Sequence, residues 1–325
     1  MHRTVRFLDI PLRRTGSVMR TLASVVLVLL LSACAVQRSC KLGPLSQMPL
    51  ESADHLMFVP ARINGHRLRL LVDTGSERTT LTEAATARLR LPHIVQSVTR
   101  TFGVAGMSAS RDVAVPGIDL GGAHLPVDHV AVGRFARDRF SGRRIDGLLG
   151  ADILLAFDMD IDLPAHQLTL YQVRDCPDFQ PPWRRPTMEI TALGRSRELM
   201  VVAFDLDGER GTAILDTGAQ FDVVRASFAR QTGLSPTKMR ADPLIRLYGA
   251  SPGMVRVPLH RFHELRVGPV VIHRPQIEVV PDNSLQVDAL LGEEFLRGRR
   301  GWLSTATDHL FVSGPKTPNR PRRVR

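Results

Sequence analysis

An internal repeat constrains this chain more than any other feature. The segment Leu70-Leu71-Val72-Asp73-Thr74-Gly75-Ser76 returns as Ala213-Ile214-Leu215-Asp216-Thr217-Gly218-Ala219. Eight residues before each Asp stands the glycine of a hairpin dipeptide, Asn64-Gly65 and Asp207-Gly208. Such dipeptides suit the tight turn that needs positive φ at both central positions. Downstream, an apolar pair closed by glycine appears twice, as Leu148-Leu149-Gly150 and Leu290-Leu291-Gly292. The closing glycine comes 77 residues after the first Asp and 76 after the second. Recurrence of several motifs at one spacing implies a duplicated structural unit.

The content of each copy is mainly β. Short apolar runs and alternation dominate, with glycine-containing hairpins expected at 102–106 and 248–253 and strands at 125–132 and 270–280. Helical patches follow each Asp-Thr-Gly at 82–89 and 225–232, and shorter ones follow each Leu-Leu-Gly. Residues 175–186 hold Pro177, Pro181, Pro182 and Pro186, which neither helix nor sheet interior tolerates. The expected organisation is a signal peptide at 1–33, a stalk at 34–50, a first lobe at 51–174, a linker at 175–196, a second lobe at 197–314 and a basic disordered tail at 315–325. With 43% hydrophobic and 23% charged residues, the chain has the composition of a globular protein rather than a disordered or collagen-like one.

The net charge of +11 does not mark a nucleic-acid binder, because it is not in the body. Residues 1–33 carry +4 and residues 315–325 carry +5, so only +2 remains for the rest. No basic face is required, and no nucleic-acid partner is expected.

Arg20 precedes the ten-residue apolar run 22–31, too short for a bilayer span of about 20 residues and suited to a secretory signal. Its end, Leu31-Ser32-Ala33-Cys34, resembles the bacterial lipobox. That resemblance implies lipidation at Cys34 and a lipid-anchored protein of the bacterial cell envelope. Ala35, in place of Asp, implies the outer membrane, facing the periplasm. With Cys34 lipidated, Cys40 and Cys176 remain as a possible disulfide between stalk and linker, permitted in an oxidising compartment. No Cys/His arrangement has metal-ligand spacing. Asp158, Asp160 and Asp162 alternate with apolar residues, as on one exposed strand face, and no glycine turn shapes a calcium loop around them.

The paired Asp-Thr-Gly segments, each with its Leu-Leu-Gly partner, resemble the aspartic proteases of the retropepsin and pepsin families. The likeness is greatest to bacterial retropepsin-type proteases with two lobes in one polypeptide, and it covers residues 51–314. It implies two similar retropepsin-like β-barrel lobes with a cleft between them, each with a flap. Asp73 and Asp216 would form the catalytic dyad. Thr74 and Thr217 would brace the two loops, Gly75 and Gly218 would let backbone pass close to the carboxyls, and Gly150 and Gly292 would belong to the supporting segments. Ser76 would donate its hydroxyl to Asp73, and Ala219 offers no such donor, so Asp73 is expected to hold the charge and Asp216 the proton.

The chemistry independently favours such a pair. Two carboxyls close together cannot both ionise cheaply, so one serves as base while the other serves as acid. Water can then attack a peptide bond without metal, cofactor or nucleophilic side chain. The expected function is an aspartic endopeptidase acting on peptide or protein substrates, monomeric because one chain holds both Asp residues. The alternative is a non-catalytic peptide-binding or assembly lipoprotein of the cell envelope.

Overall fold

The computed structural model describes residues 40–314, apart from 104–105, 136, 177, 185, 197–198 and 249–252, and apart from the side chains of 101–108. The signal peptide, Cys34 and the basic tail therefore lie outside the described residues.

The protein is mainly β, with two lobes built on one plan. Each begins with a hairpin, Leu56–Ile63 with His66–Val72 and Leu199–Leu206 with Glu209–Leu215. The turn residues Asn64 and Gly65 have φ of 50° and 75°, and Asp207 and Gly208 have 52° and 93°, as the dipeptides require. The second strand of each hairpin runs into the Asp-Thr-Gly loop. A short strand follows, Thr80–Thr82 or Val223–Arg225, and then a helix, Glu83–Leu89 or Ala226–Gln231.

The Leu-Leu-Gly strand closes each loop from behind. Gly147–Leu149 lies parallel to the first hairpin, with Leu148 beside Leu71, and antiparallel to Thr80–Thr82. Ala289–Leu291 repeats this register, with Leu290 beside Ile214 and Val223. These strands are near-continuous apolar runs because protein covers both faces.

Each lobe also projects a long hairpin, His93–Gly103 with Gly106–Ala114 in the first and Leu244–Tyr248 with Met254–Arg261 in the second. The second lobe inserts a helix, Pro236–Ala241, whose cap is Ser235 accepting from the Lys238 N–H.

A layer of six strands is shared between the copies. Its order is Lys41–Pro49, Gln167–Arg174, Asp158–Asp162, Arg300–Ser304, His309–Ser313 and Thr187–Ser196. Three strands come from each copy, and the two halves meet where Met159 pairs with Leu303 and Asp160 with Trp302. One face, with Met159, Ile161, Leu168, Leu303 and Leu310, joins the core that runs through both lobes. The other carries Tyr171, Trp302 and Phe311, packed under Phe179 of the proline-rich connection.

Two segment assignments change. Residues 41–49, expected as stalk, form an outer strand. Pro44 and Pro49 are tolerated because the strand lies at an edge, and the register shifts between Pro44 and Ser46. Residues 187–196, expected as linker, form the opposite outer strand. It pairs with His309–Ser313 up to Thr191 and with Leu199–Leu206 from Ala192 on, with a bulge between Ala192 and Gly194. The disulfide Cys40–Cys176 is present and ties the start of the first outer strand to the end of its neighbour.

The alternating acids are not an exposed face. Asp158 and Asp160 are buried. Asp158 accepts from the Trp302 indole at 3.0 Å and from the Thr305 and Ala306 N–H groups, and Asp160 takes a bidentate grip from Arg300. These partners come from the second copy, which the local pattern of the first cannot foretell.

Candidate active site

The two Asp-Thr-Gly loops meet at the base of a cavity of about 650 Å³ that both lobes line. Each loop is hung from the strand behind it. The Asp73 N–H donates to the Leu149 carbonyl at 3.0 Å, and the Asp216 N–H to that of Leu291 at 2.8 Å. The Ala151 N–H then reaches the Ser76 carbonyl, and the Glu293 N–H that of Ala219.

The threonines lock the loops together. The Thr74 hydroxyl donates across to the Leu215 carbonyl at 2.6 Å and accepts the Thr217 N–H at 3.1 Å. The Thr217 hydroxyl donates to the Val72 carbonyl at 2.8 Å and accepts the Thr74 N–H at 3.1 Å. All four bonds are buried, so breaking one strands a group away from water.

The glycines are required by close approach. A Cβ on Gly75 would lie 2.2 Å from the Asp216 carboxyl carbon, and one on Gly218 would lie 2.4 Å from that of Asp73. Each carboxyl therefore nests against the backbone of the other lobe. Gly150 and Gly292 are equally confined, since a Cβ there would meet the Arg78 and Phe221 backbones at 2.5 and 2.4 Å.

Asp73 and Asp216 are hydrogen-bonded to one another. Burial pushes Asp73 well above the ordinary carboxyl range, and the Asp216 charge and the hydrogen bond between them push it further. The Gly75 and Ser76 N–H groups pull the other way. Burial raises Asp216 as well, but the Gly218 N–H and the hydrogen bond from Asp73 offset it. Both carboxyls are therefore raised, and the pair keeps a shared proton above the ordinary carboxyl range. The Ser76 hydroxyl does not reach Asp73. It donates to the Arg78 carbonyl at 3.1 Å, while the Ser76 backbone N–H donates to the Asp73 carboxyl at 2.9 Å.

A second tier supports each loop and was not singled out in the sequence. Six residues after the first Asp, the Thr79 hydroxyl accepts the Gly150 N–H at 3.0 Å and donates to Asp152 at 2.7 Å. Six residues after the second, the Asp222 carboxyl accepts the Gly292 N–H at 2.8 Å. Asp146 and Asp288, each just before the apolar strand, take the N–H groups of Arg69 and Thr212 at 2.9 Å. The signal was available, since all four lie at matching offsets in the repeat.

The cavity walls combine apolar side chains with polar ones such as Glu77, Arg137, Gln220 and Gln286. Leu56, Leu71 and Phe140 line the first-lobe side, and Leu199, Val223 and Val287 the second-lobe side. Tyr248, at the end of the second long hairpin, also lines the cavity. Residues 104–105 and 249–252, at the hairpin tips, lie outside the described residues. Among the described residues, no group of three or more His, Cys, Asp or Glu side chains is arranged to hold a metal ion.

Comparison with known proteins follows the same duplication. Residues 59–153 and 202–295 each match the family described as aspartyl protease. DNA damage-inducible protein 1 of Yarrowia lipolytica is 27% identical over 119 residues, covering 35% of this chain and 28% of the relative. Mouse protein DDI1 homolog 2 is 26% identical over 146 residues, covering 44% of this chain and 34% of the relative. The chain thus spans about a third of the length of these relatives. The solved aspartic proteinase from Irpex lacteus superimposes with a TM-score of 0.49 at 13% identity, covering 85% of this chain and 98% of that one. With matches to the family in both halves of its repeat, the chain belongs to the aspartyl protease family.

Proposed function

We propose that the protein is an aspartic endopeptidase with Asp73 and Asp216 as its catalytic dyad. The observation that carries this reading is the pair of hydrogen-bonded carboxyls, one from each lobe, at the base of a cavity. The charged member of the pair is the base that takes a proton from water. The protonated member is the acid that supplies one to the carbonyl oxygen of the scissile bond, and the pair then exchanges roles as the amine leaves. No other group needs to change charge.

The apolar part of the lining favours substrates with apolar side chains beside the cleaved bond, held next to the second long hairpin. Activity belongs to acidic conditions, because the dyad works only while one proton remains in it. Asp73 is raised, so this proton survives above the ordinary carboxyl range and is lost as pH rises further. A purely binding cleft would gain nothing from two acids pressed together, which cost folding free energy once either must ionise.

Anchoring in a bacterial cell envelope through lipidated Cys34 is the second part of the proposal. It rests on the leader sequence alone. Palmitate labelling that disappears in Cys34→Ala supports it, and an unlabelled wild-type protein refutes it.

The test of the activity is incubation with a mixed peptide library from acidic to neutral pH, with and without a statine-type inhibitor. Cleavage between apolar residues, blocked by the statine, is the expected result. Absence of statine-sensitive cleavage across the whole pH range ends the proposal.

A further inference from the structure

The two loops are held by the same backbone bonds, but the side chains packed behind them differ in kind. In the first lobe the strand His129–Gly133 runs beside Thr80–Thr82, and the Ala131 N–H donates to the Thr79 carbonyl at 3.1 Å. In the second, Gln276–Val280 runs beside Val223–Arg225, and the Glu278 N–H donates to the Asp222 carbonyl at 3.0 Å. Glu278 therefore stands where the first lobe has Ala131, and Asp222 where it has Thr79. A neutral pair has become a pair of acids at one buried spot.

Both acids are 2% exposed. Asp222 uses one oxygen for the Gly292 N–H, and its other oxygen is buried with no hydrogen-bond partner. One oxygen of Glu278 is likewise buried and without a partner. Thr79 in the first lobe has no such deficit, since its hydroxyl both accepts and donates.

The charged surroundings do not neutralise the pair. Glu293, Glu294 and Arg297 face Asp222 from the short helix Glu293–Leu296 and its end. Arg297 is already paired with both glutamates, and His55 of the first lobe lies beside Glu293. On the strand beside Glu278, His260 is paired with Asp242 and Arg261 is exposed. On the other side, Arg225 is committed to Asp288. Among the described residues, neither Asp222 nor Glu278 has an ion-pair partner, although the Nε of Arg225 is also buried without a hydrogen-bond partner.

We propose that Asp222 and Glu278 are positioning acids that hold the Asp216 loop in its working geometry only while the pair keeps a proton, so that the second lobe senses pH and the first does not. This inference rests on the peptidase reading for its catalytic consequence, and on the buried pair alone for its structural one. Desolvation raises both groups to about 7, and for Glu278 the Asp222 charge adds to it. Full ionisation would place two like charges against the loop 216–222 and the strand Gln276–Val280 that brace each other. The Gly292 N–H favours charged Asp222 and offsets part of that repulsion, but Glu278 has no such donor on its unpartnered oxygen.

The sign follows from linkage. Both folded values lie above the unfolded ones of about 4. Stability conferred by the protonated pair is therefore complete below about pH 4 and falls away as pH rises toward about 7, the folded value.

The test restores the first-lobe residues in the double variant D222T/E278A, with E278Q as a gentler neutral substitution should the double variant not fold. Thermal unfolding of wild type and variants is followed from pH 4.5 to 8.5 without substrate. Wild type is expected to lose about 3 °C or more relative to E278Q as pH rises from 5 to 8, a size matching the stability changes of single interactions. In parallel, the upper limb of kcat/KM against pH should move up by about one unit in the variants. A gap in Tm that stays constant with pH overturns the proposal, as does an upper limb that does not move. Absence of peptide cleavage by every one of these proteins would instead refute the peptidase reading, and the Tm series would still decide the role of the pair.

Discussion

The two active-site loops share a backbone and differ in what supports it. Both hang from an apolar strand in one register, and both lend a threonine to a symmetric lock. Behind them, the first uses Thr79 with Asp152 and Ala131, and the second uses Asp222 with Glu278. Alongside the carboxyls, Ser76 faces Ala219, yet neither side chain bonds an aspartate, because backbone N–H groups do that work on both sides. The difference teaches that the reactive geometry is specified by main-chain donors. Side chains behind it are free to diverge as long as the N–H groups of Gly150 and Gly292 find acceptors.

The comparison breaks most completely at the carboxyls. Asp73→Asn and Asp216→Asn should each lower kcat/KM by about 10²–10⁴-fold or more, with circular dichroism unchanged. The double variant should be no worse than the singles, because the pair acts as one unit. Residual activity above a few per cent in either single variant would show that the lobes are not equal partners.

The threonine lock should be symmetric. Thr74→Val and Thr217→Val each leave a buried carbonyl and a buried N–H without partners, at about 1–3 kcal/mol. Urea denaturation should give the same loss for both within about 0.5 kcal/mol. Unequal losses would mean that one lobe is the scaffold on which the other is hung.

The second tier should separate the lobes by pH. Thr79→Val removes the acceptor for Gly150 and the donor to Asp152, and should cost about 1–2 kcal/mol at every pH from 5 to 8. Denaturation at several pH values tests this, and a loss that varies with pH would count against a neutral support in the first lobe.

The smallest effect belongs to Ser76→Ala. Its hydroxyl is spent on the Arg78 carbonyl, so the acid limb of the pH–rate profile should move by less than about 0.3 unit. A larger move would place the hydroxyl on Asp73 during turnover.

Much of this plan is legible in the sequence because it is repeated. Asn64-Gly65 and Asp207-Gly208 announce the hairpins, and the equal offsets of Gly150 and Gly292 announce the strands behind the loops. The shared layer is not legible. Lys41–Pro49 contains two prolines, and Thr187–Ser196 contains Gly194, so neither reads as a strand in isolation. Each becomes one only because a partner in the same half offers an edge. Asp158 looks like a solvated acid until Trp302, from the other copy, supplies a donor. The hydroxyl contact expected of Ser76 is absent for a related reason. A hydroxyl three residues away suggests a donor, but the loop turns it toward Arg78.

The pairing of Met159 with Leu303 at the middle of the shared layer has a consequence for how the molecule forms. That seam joins segments from opposite ends of the folded body, so its closure carries the entropy of a very long loop. A nascent chain cannot complete the layer until the residues beyond 300 have been synthesised. Until then, Asp158–Asp162 presents an unpaired edge, with Asp158 and Asp160 still lacking Trp302 and Arg300. Those two acids keep the waiting edge hydrated and charged, a guard against self-pairing that becomes a buried anchor once the second half arrives.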